Sequence, residues 1–151
     1  MEIVKGQGLI GKVQNNEVII GNRKIMNKQN IFMSDTILDR ISLQESTGNT
    51  VVLIAIDQKF IGYIAIADKV RSDALHSLNQ MRQSGVKEII MLTGDNVRTA
   101  EAVSTQLKLD GYKAELLPED KVNMIQLLRS QGKIVAMAGD GINDAPAIAT
   151  A

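Results

Sequence analysis

The spacing of apolar positions changes near the middle of the chain. Up to about residue 66 they fall in short runs and alternations that read as strands. Leu9-Ile10-Gly11-Lys12-Val13 and Val18-Ile19-Ile20 flank Asn15-Asn16, a tight hairpin signal. Ser34 or Asp35 can cap a helix through Ile37, Leu38 and Ile41 that ends near Gly48. Val51 to Ile56 and Phe60 to Ala67 are separated by Asp57-Gln58-Lys59, which predicts a second hairpin.

From Asp68 onward the period becomes helical. Val70, Ala74, Leu75, Leu78 and Met81 share one face before Gly85, Val97 to Leu109 gives a second helix before Gly111, and Pro118 to Gln131 gives a third. Between them lie short apolar pieces, Glu88 to Leu92, Tyr112 to Leu116 and Ile134 to Ala138, the last expected to be a buried strand. Strand–helix–strand–helix–strand predicts an α/β fold with a doubly wound parallel sheet, preceded by an antiparallel α+β part. The change of pattern places a boundary near residues 66–69, dividing the chain into 1–66 and 67–151.

Composition changes this picture little. The 151 residues suffice for a sizeable core, and 44% apolar with 23% charged residues is a globular balance. The net charge of zero gives no sign of nucleic-acid binding. The first 30 residues carry five cations, Lys5, Lys12, Arg23, Lys24 and Lys28, against Glu2 and Glu17, which suits a phosphate-bearing ligand or a solvated face. With no cysteine there is no disulfide or thiolate metal site. The lone histidine, His76, falls on a polar helix face. The longest apolar run, Val51 to Ile56, is far below the roughly 20 residues of a membrane span. No signal peptide opens the chain, so it is expected to be soluble and cytoplasmic.

The chemistry concentrates at three strand or helix ends. Gly139-Asp140-Gly141-Ile142-Asn143-Asp144-Ala145-Pro146 places two carboxylates, Asp140 and Asp144, four residues apart after an apolar run. Ligands of open α/β sheets bind at that end of a strand, and two hard oxygens plus water suit Mg2+. Thr93-Gly94-Asp95-Asn96 follows the Ile89 to Leu92 run, where the Thr93 hydroxyl and amide and the next helix N-terminus could receive a phosphate. A plain turn with Asp95 or Asn96 as N-cap explains the same residues. Lys121, in the first turn of the helix opened by Leu117-Pro118-Glu119-Asp120, opposes the helix dipole unless an anion lies near or Glu119 or Asp120 pairs with it. Together these segments make a kit for phosphoryl transfer. Gly6-Gln7-Gly8-Leu9-Ile10-Gly11 and Gly21-Asn22 fit either nucleotide binding or turns.

These motifs together resemble the cytoplasmic catalytic region of P-type ATPases, most closely the heavy-metal-transporting class. The resemblance rests on Met91 to Asn96, Leu117 to Lys121, Gly139 to Ala147, the glycine pair Gly6 and Gly8, Gly21-Asn22, and Asp68 to Arg71. It implies an incomplete phosphorylation domain of haloacid-dehalogenase type in 67–151, joined to part of a nucleotide-binding domain in 1–66. It further implies that Gly6, Gly8, Gly21 and Asn22 line an ATP pocket. Thr93, Gly94 and Asp95 would contact the phosphoryl group, and Lys121 would neutralise phosphate charge. Asp140 and Asp144 would hold Mg2+ with Asn143 in support. Ala114 to Lys121 looks more like zinc/cadmium pumps and Gly21 to Met26 more like copper pumps, with zinc/cadmium slightly favoured.

The chain departs from that family in specific ways. It holds no Asp-Lys-Thr-Gly-Thr segment, hence no phosphorylated aspartate, and no His-Pro pair or membrane helix. It is expected to be an internal segment of such a pump, inactive by itself, with the metal cation a partner only of the complete protein. In the family the nucleophile strand lies between the strands ending in Asp95 and Asp140, so a gap in the sheet and association with the missing parts are expected. The alternative is a stand-alone module that binds nucleotide and Mg2+ without turnover. A phosphatase of the same superfamily is disfavoured, because no Asp-x-Asp segment supplies a nucleophile.

Overall fold

The computed structural model describes residues 1–67, 70–139, 141 and 144–151. The strands β1 (Glu2–Val4), β2 (Gly8–Val13), β3 (Asn16–Gly21), β4 (Thr50–Ile56) and β5 (Lys59–Ile66) form one antiparallel sheet in chain order. Both expected hairpins form. Each closes through two consecutive left-handed residues, Gln14 and Asn15 at φ 49° and 68°, and Asp57 and Gln58 at 46° and 63°. That backbone matches the twist of the flanking strands. The first turn lies one residue earlier than expected, since Asn16 already pairs with Val13.

Two helices, α1 (Arg23–Lys28) and α2 (Asp35–Ser46), accompany this sheet. Side chains alternate along a strand, so Ile19 on β3 and Val51, Leu53 and Ala55 on β4 share a face. They pack with Ile25 and Met26 of α1, Ile41 of α2, and Ile31 and Met33 between the helices. Burying each large side chain contributes about 1.5–3 kcal/mol. α2 starts after Ser34, and Gly48 at φ 87° follows its end, both as expected. α1 was not anticipated. Its signal is Asn22, a preferred N-cap residue.

The second part holds α3 (Ala74–Gln83), β6 (Ile90–Leu92), α4 (Val97–Gln106), β7 (Gly111–Lys113), α5 (Pro118–Ser130) and α6 (Ala145–Ile148). β6 and β7 pair in parallel with α4 as their crossover. α4 ends three residues before Leu109, because Lys108 at φ 52° takes the left-handed terminating position, and Gly111 opens β7 instead.

The expected buried strand Ile134 to Ala138 is not formed. The segment carries no strand, and Ile134 is fully exposed. A strand needs a partner for its amides and carbonyls, and among the described residues the second sheet is only β6 and β7. The gap is therefore not bordered by two strands: one border is β6, and the other does not assemble. The same deficit explains α3, whose apolar stripe buries no residue and leaves Met81 47% exposed.

Candidate functional site

The glycine-rich front forms the edge of a cleft. Gly6, at φ 69°, turns the chain between β1 and β2. Gly8 and Gly21 face each other across the β2–β3 ladder. A Cβ on Gly8 would stand 2.2 Å from the Ile20 carbonyl oxygen, and one on Gly21 would stand 2.2 Å from that of Gln7. Both glycines are thus required by the approach of two backbones, irrespective of a ligand. Asn22 is the N-cap of α1: its Oδ1 accepts from the amides of Lys24 (3.0 Å) and Ile25 (3.3 Å), while its Nδ2 donates to the Gly6 carbonyl (2.9 Å). Its side chain therefore fastens the glycine turn to the helix.

Across the cleft stands the turn after β6. The Thr93 hydroxyl donates to Asp95 Oδ2 and accepts the Asp95 amide, both at 3.1 Å. The Thr93 amide, expected to be available to a phosphate, donates to the Lys113 carbonyl in the ladder (2.9 Å). Asn96, not Asp95, caps α4 by accepting the Thr99 amide (3.1 Å). The other Asp95 oxygen accepts the Thr50 hydroxyl at 3.1 Å, and the buried Thr99 hydroxyl donates to the Asn49 carbonyl at 2.9 Å. These two bonds tie the turn to the start of β4.

Between the two sides lies a cavity of about 700 Å³. Gly6, Gly8, Gly21, Asn22, Gly94 and Asp95 all line it, whereas Thr93, Lys121 and Asp144 do not. Sequence reading missed its charged wall. Glu45 of α2 is buried, and its Oε2 accepts from Arg23 Nη2 at 2.9 Å and Arg98 Nη1 at 3.5 Å. Glu45 follows Ile41, also buried, by four residues, the spacing that puts two side chains on one helix face. Two exposed ion pairs, Lys5 with Glu119 and Lys24 with Glu115, join the same two parts of the chain. The Lys5 ammonium holds the Glu119 carboxyl below the usual carboxylate range.

A second cluster surrounds α5. Asp120 accepts the Leu117 amide at 2.8 Å and so closes the helix start. Lys121 pairs with neither Glu119 nor Asp120: its Nζ lies 2.6 Å from Asp144 Oδ1, and both side chains are largely buried. The anion that offsets this lysine at the helix start is thus Asp144. A Cβ on Gly139 would stand 2.9 Å from Asp144 Oδ2, so Gly139 makes room for that carboxylate. Asp140 and Asn143, with Asp68, lie outside the described residues. Among the described residues no cluster of three or more metal-ligating side chains occurs. Of the two carboxylates expected to hold Mg2+, Asp144 is the one described, and its Oδ1 is taken up by Lys121.

Residues 3–151 match the model of a hydrolase family, the haloacid dehalogenase-like hydrolases. The chain belongs to that family. Its resemblance to heavy-metal P-type ATPases also holds. It is 41% identical over 148 residues to a copper-exporting P-type ATPase of Staphylococcus epidermidis, covering 98% of the chain and 18% of that protein. A copper-exporting P-type ATPase of Staphylococcus aureus is 40% identical, with the same coverage. Among solved structures, a zinc-transporting PIB-type ATPase in its E2·Pi state superposes with a TM-score of 0.59 at 38% identity, covering 99% of the chain and 23% of that protein. The chain spans about a fifth of the length of the curated relatives it matches. Among the described residues, no helix of this haloacid dehalogenase-like chain is long and apolar enough to cross a membrane.

Proposed function

We propose that this chain supplies part of the ATP-binding and phosphate-handling machinery of a heavy-metal cation-transporting P-type ATPase, and that alone it binds nucleotide without turning it over. The observation that carries this reading is the cavity, which gathers Gly6, Gly8, Gly21 and Asn22 opposite Gly94 and Asp95, more than 70 positions away. In this reading residues 1–66 are the nucleotide-binding part and 67–151 the phosphorylation part.

The chain's own residues divide the work. Gly6, Gly8 and Gly21 present a backbone edge without side chains to the nucleotide, and Asn22 keeps that edge in place. Gly94 faces the phosphate end of the nucleotide from the cavity; Thr93, which does not line the cavity and whose hydroxyl is held by Asp95, would meet the phosphoryl group only in the complete protein. Lys121, paired with Asp144 and outside the cavity, would supply its cation to the phosphate only when the complete protein brings the two together. Asp140 and Asp144 would hold Mg2+, with Asn143 in support; when bound, Mg2+ neutralises phosphate charge. No Asp-Lys-Thr-Gly-Thr segment provides a nucleophile, so the reading requires binding without phosphate release. Relatives named for copper and for zinc match at similar identity, so the proposal stays at the level of a heavy-metal cation.

Calorimetric titration with a non-hydrolysable ATP analogue, with and without Mg2+, tests it. Saturable one-to-one binding strengthened by Mg2+, with no phosphate released from ATP, is the expected result. Absence of binding at millimolar nucleotide would overturn it.

A further inference from the structure

The cavity carries its own counter-ions. Among the described residues that line it are the cations Arg23, Lys24 and Arg98 and the carboxylates Glu45, Asp95 and Glu115, whose formal charges cancel. Each cation already has a carboxylate: Glu45 lies 2.9 Å from Arg23 and 3.5 Å from Arg98, and Glu115 lies 2.5 Å from Lys24. A polyphosphate entering this neutral wall gains a cation only where a carboxylate gives one up.

The carboxylates differ in how readily they yield. The Glu45 side chain is 5% exposed and holds both guanidinium groups, so moving it would leave buried charge unpaired. Asp95 accepts the hydroxyls of Thr50 and Thr93 and blocks none of the three cations. Glu115 is 40% exposed and its partner Lys24 53% exposed, and an ion pair open to water separates at little cost.

The backbones behind this pair are fixed. Glu115 takes a left-handed conformation at φ 58°, uncommon for a residue with a side chain. Its amide donates to the Asp95 carbonyl at 2.7 Å, and the next amide, of Leu116, donates to the Thr93 carbonyl at 3.0 Å. On the opposite wall Asn22 Oδ1 accepts the Lys24 amide at 3.0 Å. Only the two side chains need swing to separate the charges.

Resting on the nucleotide reading of this cavity, we infer that Glu115 is a built-in competitor for the phosphates: its carboxylate occupies Lys24 until a polyphosphate displaces it. The contact lowers affinity for the charged end of a nucleotide and leaves the uncharged nucleoside unaffected.

The test uses the full chain in calorimetric titrations with ADP and with adenosine at one Mg2+ concentration. Glu115→Gln keeps the shape of the side chain and removes its charge. It should tighten ADP roughly 3- to 10-fold and leave adenosine unaltered, and Glu115→Ala should do the same. Lys24→Gln should weaken ADP more in the Glu115→Gln background than in the unaltered chain, because only there is the ammonium free. Glu119→Gln breaks the other exposed pair between the two parts, at a carboxylate that does not line the cavity, and should alter neither ligand. ADP unaltered or weakened by Glu115→Gln, adenosine tightened as much as ADP, or equal tightening by Glu119→Gln overturns the inference while leaving the nucleotide reading intact. If ADP binds neither the unaltered chain nor Glu115→Gln, both readings fall together.

Discussion

The Thr50 hydroxyl donates to the Asp95 carboxylate at 3.1 Å, joining the first residue of β4 to the turn after β6. Two segments far apart in sequence thereby become parts of the wall of one cavity. Thr50→Val keeps the shape of the side chain and removes the donor. It should lower stability by about 1–2 kcal/mol in urea denaturation and speed amide exchange at Asn96 and Val97. Unchanged exchange there would mean that the bond does not hold the turn.

The buried carboxylate beside it should matter more than the exposed pairs. Glu45→Ala leaves Arg23 and Arg98 facing each other in the cavity wall. Because Arg23 is 27% exposed, the expected loss is about 2–4 kcal/mol. Lys24→Ala removes an exposed pair and should change stability by less than about 1 kcal/mol. Equal effects in denaturant titrations would show that burial does not govern these interactions.

Steric demand separates the glycines. Gly21→Ala drives a Cβ to 2.2 Å from the Gln7 carbonyl oxygen. It should break the β2–β3 ladder and cost more than about 3 kcal/mol. Gly62→Ala meets nothing within 4 Å and should be tolerated. The thermal midpoints of the two variants check this contrast.

Much of the first sheet was legible because its signals are local. Polar turn residues mark both hairpins, whereas β4 is a continuous apolar run whose buried face shows only in the structure. The glycine pair and Asp95 were legible only as candidates: all line the cavity, but glycine also serves turns and close backbone approach, as at Gly8. Glu45, Arg23 and Arg98 were not, since their pairing depends on how α2, α1 and α4 pack. Ile134 to Ala138 misled for a related reason. Five apolar residues specify a buried strand only where a neighbouring strand exists to pair with them, and periodicity does not say whether one does.

That misreading gives its own test. Ile134 is fully exposed and Ile125 of α5 is 3% exposed. Ile134→Lys should leave stability within about 0.5 kcal/mol, whereas Ile125→Ala should cost about 2–4 kcal/mol. A large loss from Ile134→Lys would indicate that the segment packs as a strand.

Asp110 makes the second part sensitive to acid. Its carboxylate accepts the Ile89 amide at 2.7 Å and pairs with Arg82 at 2.8 Å. The backbone hydrogen bond first, and Arg82 second, hold its pKa below the usual carboxylate value. A depressed folded-state pKa contributes stability above the unfolded value, about 3.9, and loses it as the pH falls from there through the folded value. Asp110→Asn should therefore flatten the dependence of the urea midpoint on pH below about 4. An unaltered slope would place the acid sensitivity elsewhere.

The central claim is that one cavity joins the glycine edge to the turn after β6 around a nucleotide. Amide NMR of the chain during titration with Mg2+ and a non-hydrolysable ATP analogue tests it most directly. The account predicts concerted shifts at Gly6, Gln7, Gly8 and Asn22 together with Gly94 and Asp95, all saturating at one nucleotide concentration. Shifts confined to one wall, or no saturable shift at either, would contradict it.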